Sequence, residues 1–92
     1  METYVYAGNL PFDVTEEMLK EKFGTAGTVL EVKIAKDPER DLFMGYSFIK
    51  MNSAEEVEKV IKQLQDHPLG ERKMYLMPGS EAMDLWERAF GA

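Results

Sequence analysis

The chain contains no cysteine and a single histidine, His67. Disulfide scaffolds, thiolate metal sites and cysteine nucleophiles are thereby excluded, and one imidazole leaves no ordinary zinc constellation to complete. A cysteine-free chain fits a reducing compartment. No apolar stretch approaches the roughly 18 residues that a membrane span needs. The opening METYVYAGNL carries neither a basic segment nor a long apolar run, so no secretory signal is visible. An intracellular location, cytoplasmic or nuclear, is the expectation. Basic residues are scarce: Lys and Arg number 11 against 17 Asp and Glu, for a net charge of -6. That sign argues against a polybasic binder held to phosphates by bulk electrostatics. It leaves room for one locally neutral or positive face. Low-complexity tracts, internal repeats and interdomain linkers are absent as well.

What remains is enough for one compact domain. The 92 residues are too few for two, and 45% hydrophobic content can fill a small core. Thr3 to Gly8 (TYVYAG) reads as a strand, bounded by the turn-prone Asn9 and Pro11. Thr15 can cap a helix that carries Leu19 and Phe23 on one face and stops near Gly24. From Thr28 to Lys36, Val32 and Ile34 alternate with Lys33 and Ala35; Val29 is out of step by one, which a bulge near Leu30–Glu31 would explain. After the loop DPERD, FMGYSFIKM alternates again as a third strand. Ser53 and Glu56 form a capping-box pattern, followed by an apolar stripe of Ala54, Val57, Val60, Ile61 and Leu64. Asp66 to Glu71 is expected to be a loop and Lys73 to Met77 a fourth strand. Pro78 and Gly79 break the chain, and Ser80 can cap a last helix.

The order β-α-β-β-α-β predicts two interleaved β-α-β units, with a four-stranded antiparallel sheet and both helices on one of its faces. Strand alternation then separates the two faces. Val5, Ala7, Ser47, Ile49, Met51, Met74 and Leu76 form the core set. Tyr4, Tyr6, Lys33, Met44, Tyr46, Phe48, Lys50 and Tyr75 point to the open side. Five aromatics on a face without a packing partner constitute an interaction surface. An enzyme reading fares worst. No Gly-rich phosphate cradle is present, and no Ser/His/Asp arrangement can be completed around one histidine. His67 reads as a solvated turn residue; no catalytic residue, metal or cofactor is expected.

VYAGNL (Val5 to Leu10) and MGYSFIKM (Met44 to Met51) resemble the hexapeptide and octapeptide motifs of the RNA recognition motif family. The segment Phe23 to Gly27 and the stretch Ala54 to Leu76 also fit, so the resemblance covers about residues 3 to 77. It implies a ferredoxin-like α+β sandwich and non-catalytic binding of short single-stranded RNA by base stacking. Tyr6, Tyr46 and Phe48 fall on the family's stacking positions, with Tyr4 and Tyr75 beside them. Lys33, Lys50 and Lys73 are candidates to meet phosphates. Three departures stand out. Met44 replaces the Lys or Arg that opens the octapeptide, the loop Asp37 to Phe43 is acidic where the family is usually basic, and Met51 replaces the closing aromatic. The acidic first helix (Glu16, Glu17, Glu21) resembles that of a protein-binding subclass. That subclass's Arg-x-Phe element is replaced here by His67-Pro68-Leu69.

Residues 1–79 are therefore expected to form the RNA recognition motif domain. Residues 80–92 are expected to add an amphipathic helix to the same domain. Its stripe of Met83, Trp86 and Phe90 is too apolar to leave in water, and the open sheet is the nearest partner. The leading expectation is a monomeric RNA binder whose tail helix docks on the sheet and competes with RNA. The alternative is a protein-interaction module whose aromatic face is covered by that helix or by a protein partner.

Overall fold

A computed structural model describes residues 1–91. Strand β1 (Tyr4–Gly8) leads to helix α1 (Glu16–Gly24), and β2 (Val29–Lys36) and β3 (Phe43–Met51) follow. Helix α2 (Ala54–Leu64) comes next, then a small hairpin of β4 (Pro68–Leu69) and β5 (Arg72–Lys73). Strand β6 (Tyr75–Pro78), a 3₁₀ turn (Gly79–Glu81) and helix α3 (Met83–Phe90) complete the chain. The main sheet is antiparallel in the order β2-β3-β1-β6. Its fourth strand is β6, shorter than the sequence suggests, because Arg72 and Lys73 turn aside to pair with Leu69 and Pro68. Gly70, at a φ of +63°, opens the two-residue connection of that hairpin.

Helices α1 and α2 cover one face. Leu19 and Phe23 from α1 and Val57, Val60 and Leu64 from α2 pack on Val5, Ala7, Ile49, Met51, Met74 and Leu76. The core set expected from alternation is thus buried, Ser47 included. The slip in β2 is real: its register with β3 shifts between Val29 and Glu31, and Leu30 is left exposed.

Caps explain where the helices start. Thr15 Oγ1 accepts the Met18 amide at 3.2 Å, and Ser53 Oγ accepts the Glu56 amide at 3.2 Å. The capping box at Ser53 is only half made, since the Glu56 carboxylate accepts the Thr28 amide at 2.6 Å. Glu56 thus joins the start of α2 to the approach to β2. Gln65 serves the sheet's outer edge: its amide group donates to the Leu76 carbonyl at 2.7 Å and accepts the Leu76 amide at 2.9 Å. One side chain so occupies part of an edge that would otherwise invite pairing. Ser80 does not cap α3. The helix begins after Ala82, and no side chain satisfies its first amides.

One polar atom in the core is poorly served. Ser47 lies opposite Ala7 and Ile34, fully buried, and its Oγ has no hydrogen-bond partner among the described residues. Ser47→Ala removes that unpaired hydroxyl at nearly constant volume. Chemical denaturation should show stability raised by about 1 kcal/mol; a loss of stability would mean that the hydroxyl is satisfied in solution.

Candidate nucleic-acid interface

The face of the sheet opposite α1 and α2 is built in cross-strand rows. Tyr4 sits opposite Lys50, which sits opposite Glu31. In the next row Tyr6 pairs with Phe48 on one side and Met77 on the other, and Phe48 pairs with Lys33. Beyond it, Gly8 stands beside Tyr75. Two strand positions along β3 from Phe48, Tyr46 points the same way. The rings of Tyr6, Tyr46 and Phe48 form a contiguous group, with centroids 5.4 Å apart for Tyr6–Tyr46, 5.6 Å for Tyr6–Phe48 and 6.1 Å for Tyr46–Phe48. Gly8 makes room for this cluster: a Cβ there would lie 2.7 Å from the Tyr6 hydroxyl.

The face is not open. Helix α3 lies on it and forms a second core with Ala35, Tyr46, Phe48 and Ala82 at its centre. Phe48 is 0% and Tyr46 5% exposed. Trp86 meets Phe48 edge to face at 5.1 Å and Tyr4 at 5.1 Å, and Phe90 reaches Phe48 at 6.2 Å. The Tyr46 hydroxyl donates to the Leu85 carbonyl at 2.6 Å. Lys33 Nζ sits 5.5 Å from the Trp86 ring and 5.0 Å from that of Phe90, within cation–π reach of both.

Not every expected residue is where alternation puts it. Met83 is 42% exposed and outside the second core; Leu85 takes its place there. At about 100° per residue, Ala82, Leu85, Trp86, Ala89 and Phe90 share a stripe, and Met83 falls just past its Phe90 edge. Lys73 belongs to the β4–β5 hairpin rather than to the main sheet, so it stands at the rim. Tyr75 keeps its outward place at 54% exposure. Lys50 Nζ lies 6.0 Å from the Tyr4 ring. Glu31 is a further residue of this face, opposite Lys50. Carrying the bulge at Leu30 through the alternation would have placed it beside Lys33. Its carboxylate accepts the Tyr4 hydroxyl at 2.7 Å. At the end of β1, Asn9 Oδ1 takes Arg72 Nη2 at 2.8 Å and Nε at 3.2 Å, and Asn9 Nδ2 donates to the Lys73 carbonyl at 2.8 Å. Among the described residues no three His, Asp or Glu side chains are grouped to hold a metal ion.

The sequence model of the RNA recognition motif matches residues 5–75. The chain belongs to the RNA recognition motif family. It is 37% identical over 71 residues to the chloroplastic RNA-binding protein CP33 of Arabidopsis thaliana, a match covering 77% of this chain and 22% of that protein. The chain spans about a fifth of the length of the first curated relatives it matches, 22% and 21%. Among solved structures, the crystal structure of RNA-binding protein PG1 superposes with a TM-score of 0.75 at 26% identity, over 83% of this chain and 92% of that one. The Rna15 RNA recognition motif, solved with RNA (GU) bound, gives a TM-score of 0.70 at 29% identity over 83% and 81%. The family match ends at residue 75, before α3 begins at Met83. The motif residues Tyr6, Tyr46 and Phe48 lie inside it, and the helix that covers them lies outside.

Burial raises the pKa of Tyr4, Tyr6 and Tyr46. For Tyr4 it acts together with the hydrogen bond to Glu31 and that carboxylate's charge, which push the phenol from 10.0 up to about 12. Tyr6 is raised by burial and then by Tyr46, Tyr75 and Asp84. For Tyr46 burial again leads, opposed by Arg88 and reinforced by Asp84. In the unfolded chain a phenol loses its proton near pH 10. Between there and about 12 the unfolded state has released the Tyr4 proton while the folded state keeps it. Stability therefore falls as pH rises through that window. Glu31→Gln should move part of the phenolate absorbance titration to lower pH and reduce the alkaline loss. An unchanged titration would detach Tyr4 from Glu31.

Proposed function

We propose that this domain binds short single-stranded RNA across its β-sheet, without catalysis and as an intracellular monomer. Tyr6, Tyr46 and Phe48 stack on bases, with Tyr4 and Tyr75 extending the surface. The observation that carries this reading is the contiguous ring cluster at the family's hexapeptide and octapeptide positions on one sheet face. Stacking suits unpaired bases because each offers a flat π face, and it contributes about 1–3 kcal/mol per base. The RNA-bound Rna15 structure supports the same reading by likeness. Lys33 and Lys50 flank the rings on this face, and Lys73 stands at its rim. The net charge of -6 is carried mainly by helices and loops. Protein packing on the aromatic face is already met by α3 within the chain, so no separate protein partner is needed to account for it.

Tyr6→Ala is the cleaner test, because Phe48 is fully buried and its truncation would also open a cavity. In titrations of a random-sequence single-stranded octamer pool at low salt, Tyr6→Ala should weaken binding by about 1–3 kcal/mol. A folded variant with undiminished affinity would overturn the stacking role. The salt dependence should be shallow. Three lysines at about -0.7 each predict a log K against log[salt] slope near -2, and a slope steeper than about -4 would require a basic surface elsewhere.

A further inference from the structure

The grip of α3 on the sheet uses the groups that RNA would need. Trp86 and Phe90 lie against Phe48, the Leu85 carbonyl takes the Tyr46 hydroxyl, and Lys33 faces the Trp86 and Phe90 rings. A base cannot stack on Phe48 while those rings are seated, and Lys33 is held beneath them. Glu81, Asp84 and Glu87 also bring carboxylates to the covering segment, where they oppose phosphate. RNA and α3 therefore exclude one another.

The helix has few means of its own. It has only eight residues, no side chain caps its N-terminus, and none of its residues is fully buried. Isolated helices shorter than about 12–15 residues are marginal in water. Its helical form thus depends on the sheet beneath it. The point at which it departs is also fixed. A Cβ on Gly79 would lie 2.8 Å from the Tyr4 Cβ and carbonyl oxygen, so the chain is packed onto β1 up to that residue. Ser80 and Glu81 are exposed, and the apolar grip begins at Ala82.

We propose that α3 is an order–disorder latch on the RNA face. It folds onto the sheet in the free protein, pivots after Gly79, and unfolds when single-stranded RNA takes Tyr46, Phe48 and Lys33. This inference rests on the RNA reading above. Its consequence is an affinity set by the fraction of molecules with the latch open, since the apparent dissociation constant is the intrinsic one divided by that fraction.

The test uses the full chain, the same random-sequence octamer pool, and Trp86, the sole tryptophan, as reporter. Trp86 emission should be blue-shifted in the free protein and move red at the RNA concentration where anisotropy shows binding. Exchange of the Trp86 amide, bonded to the Ala82 carbonyl at 3.1 Å, should accelerate at the same point. Phe90→Ala and Leu85→Asp should each bind at least about tenfold tighter than the parent chain. Protection of the Ile49 amide verifies that the domain beneath is intact. If Leu85→Asp fails to fold, Phe90→Ala and the parent chain's own emission still decide. RNA binding with unmoved Trp86 emission and no gain in the loosened variants would overturn the latch and leave the RNA reading standing. Absence of binding in parent and loosened chains alike would overturn the RNA reading itself.

Discussion

Phe48 is where the two halves of this domain meet. Its backbone is the middle of β3, paired to β1 on one side and β2 on the other. Its ring points away from the main core and meets Tyr6, Tyr46, Trp86 and Phe90 edge to face. A sheet whose outer face carried only polar residues would need nothing there. A sheet with this ring at its centre must bury it, stack it on a ligand, or expose a large apolar patch. The other features of the face follow from that constraint: the small residues Gly8 and Ala35 beside the cluster, the close turn at Gly79 and the stripe of α3.

Charge divides the molecule in the same way. The lysines that face the sheet surface are held in place by rings, Lys33 against Trp86 and Phe90 and Lys50 near Tyr4. Such contacts are modest where water reaches the ammonium group. They position positive charge at the aromatic surface. Glu31 brings one carboxylate to this face, where it accepts from the Tyr4 hydroxyl. A chain of net charge -6 thereby keeps a face that is not dominated by acid.

The backbone plan was legible because it rests on period and punctuation. Alternation in β1 and β3, the caps at Thr15 and Ser53, and the slip before Val32 are local signals, and each has its counterpart in the fold. The core set was legible for the same reason. Pairing partners that depend on distant residues were not. Arg72 and Lys73 leave the fourth strand because Gly70 lets them fold back on Pro68 and Leu69 and because Asn9, at the end of the neighbouring β1, holds Arg72. Glu56 fits a capping box by spacing, yet the nearby Thr28 amide takes its carboxylate. Met83 was expected on the apolar stripe of α3, yet it stands exposed in the first turn of the helix. The 3₁₀ turn delays the helix, and Leu85 joins the stripe in place of Met83. The motif aromatics were identifiable one by one, whereas their mutual distances and the depth of their burial are tertiary facts.

A domain of this size has little core to spare, since short chains bury a smaller share of their surface. The second core adds to it, but in a form that differs from the first. Under α1 and α2 fully buried residues come from both sides, Ile49 and Met51 from the sheet and Leu19, Phe23 and Val60 from the helices. Under α3 the buried residues are Ala35, Tyr46 and Phe48 of the sheet and Ala82 before the helix; Tyr4 and Tyr6 on the sheet and Leu85, Trp86 and Phe90 on the helix each keep a partly solvated surface. The helix thus removes Tyr46 and Phe48 from water while none of its own residues is fully buried. Loss of α3 would cost the domain less than loss of α1 or α2, and would expose Phe48 and Tyr46 rather than the main core. That asymmetry is what a removable cover needs: tight enough to keep an aromatic face soluble, and separate enough that uncovering it leaves the first core closed.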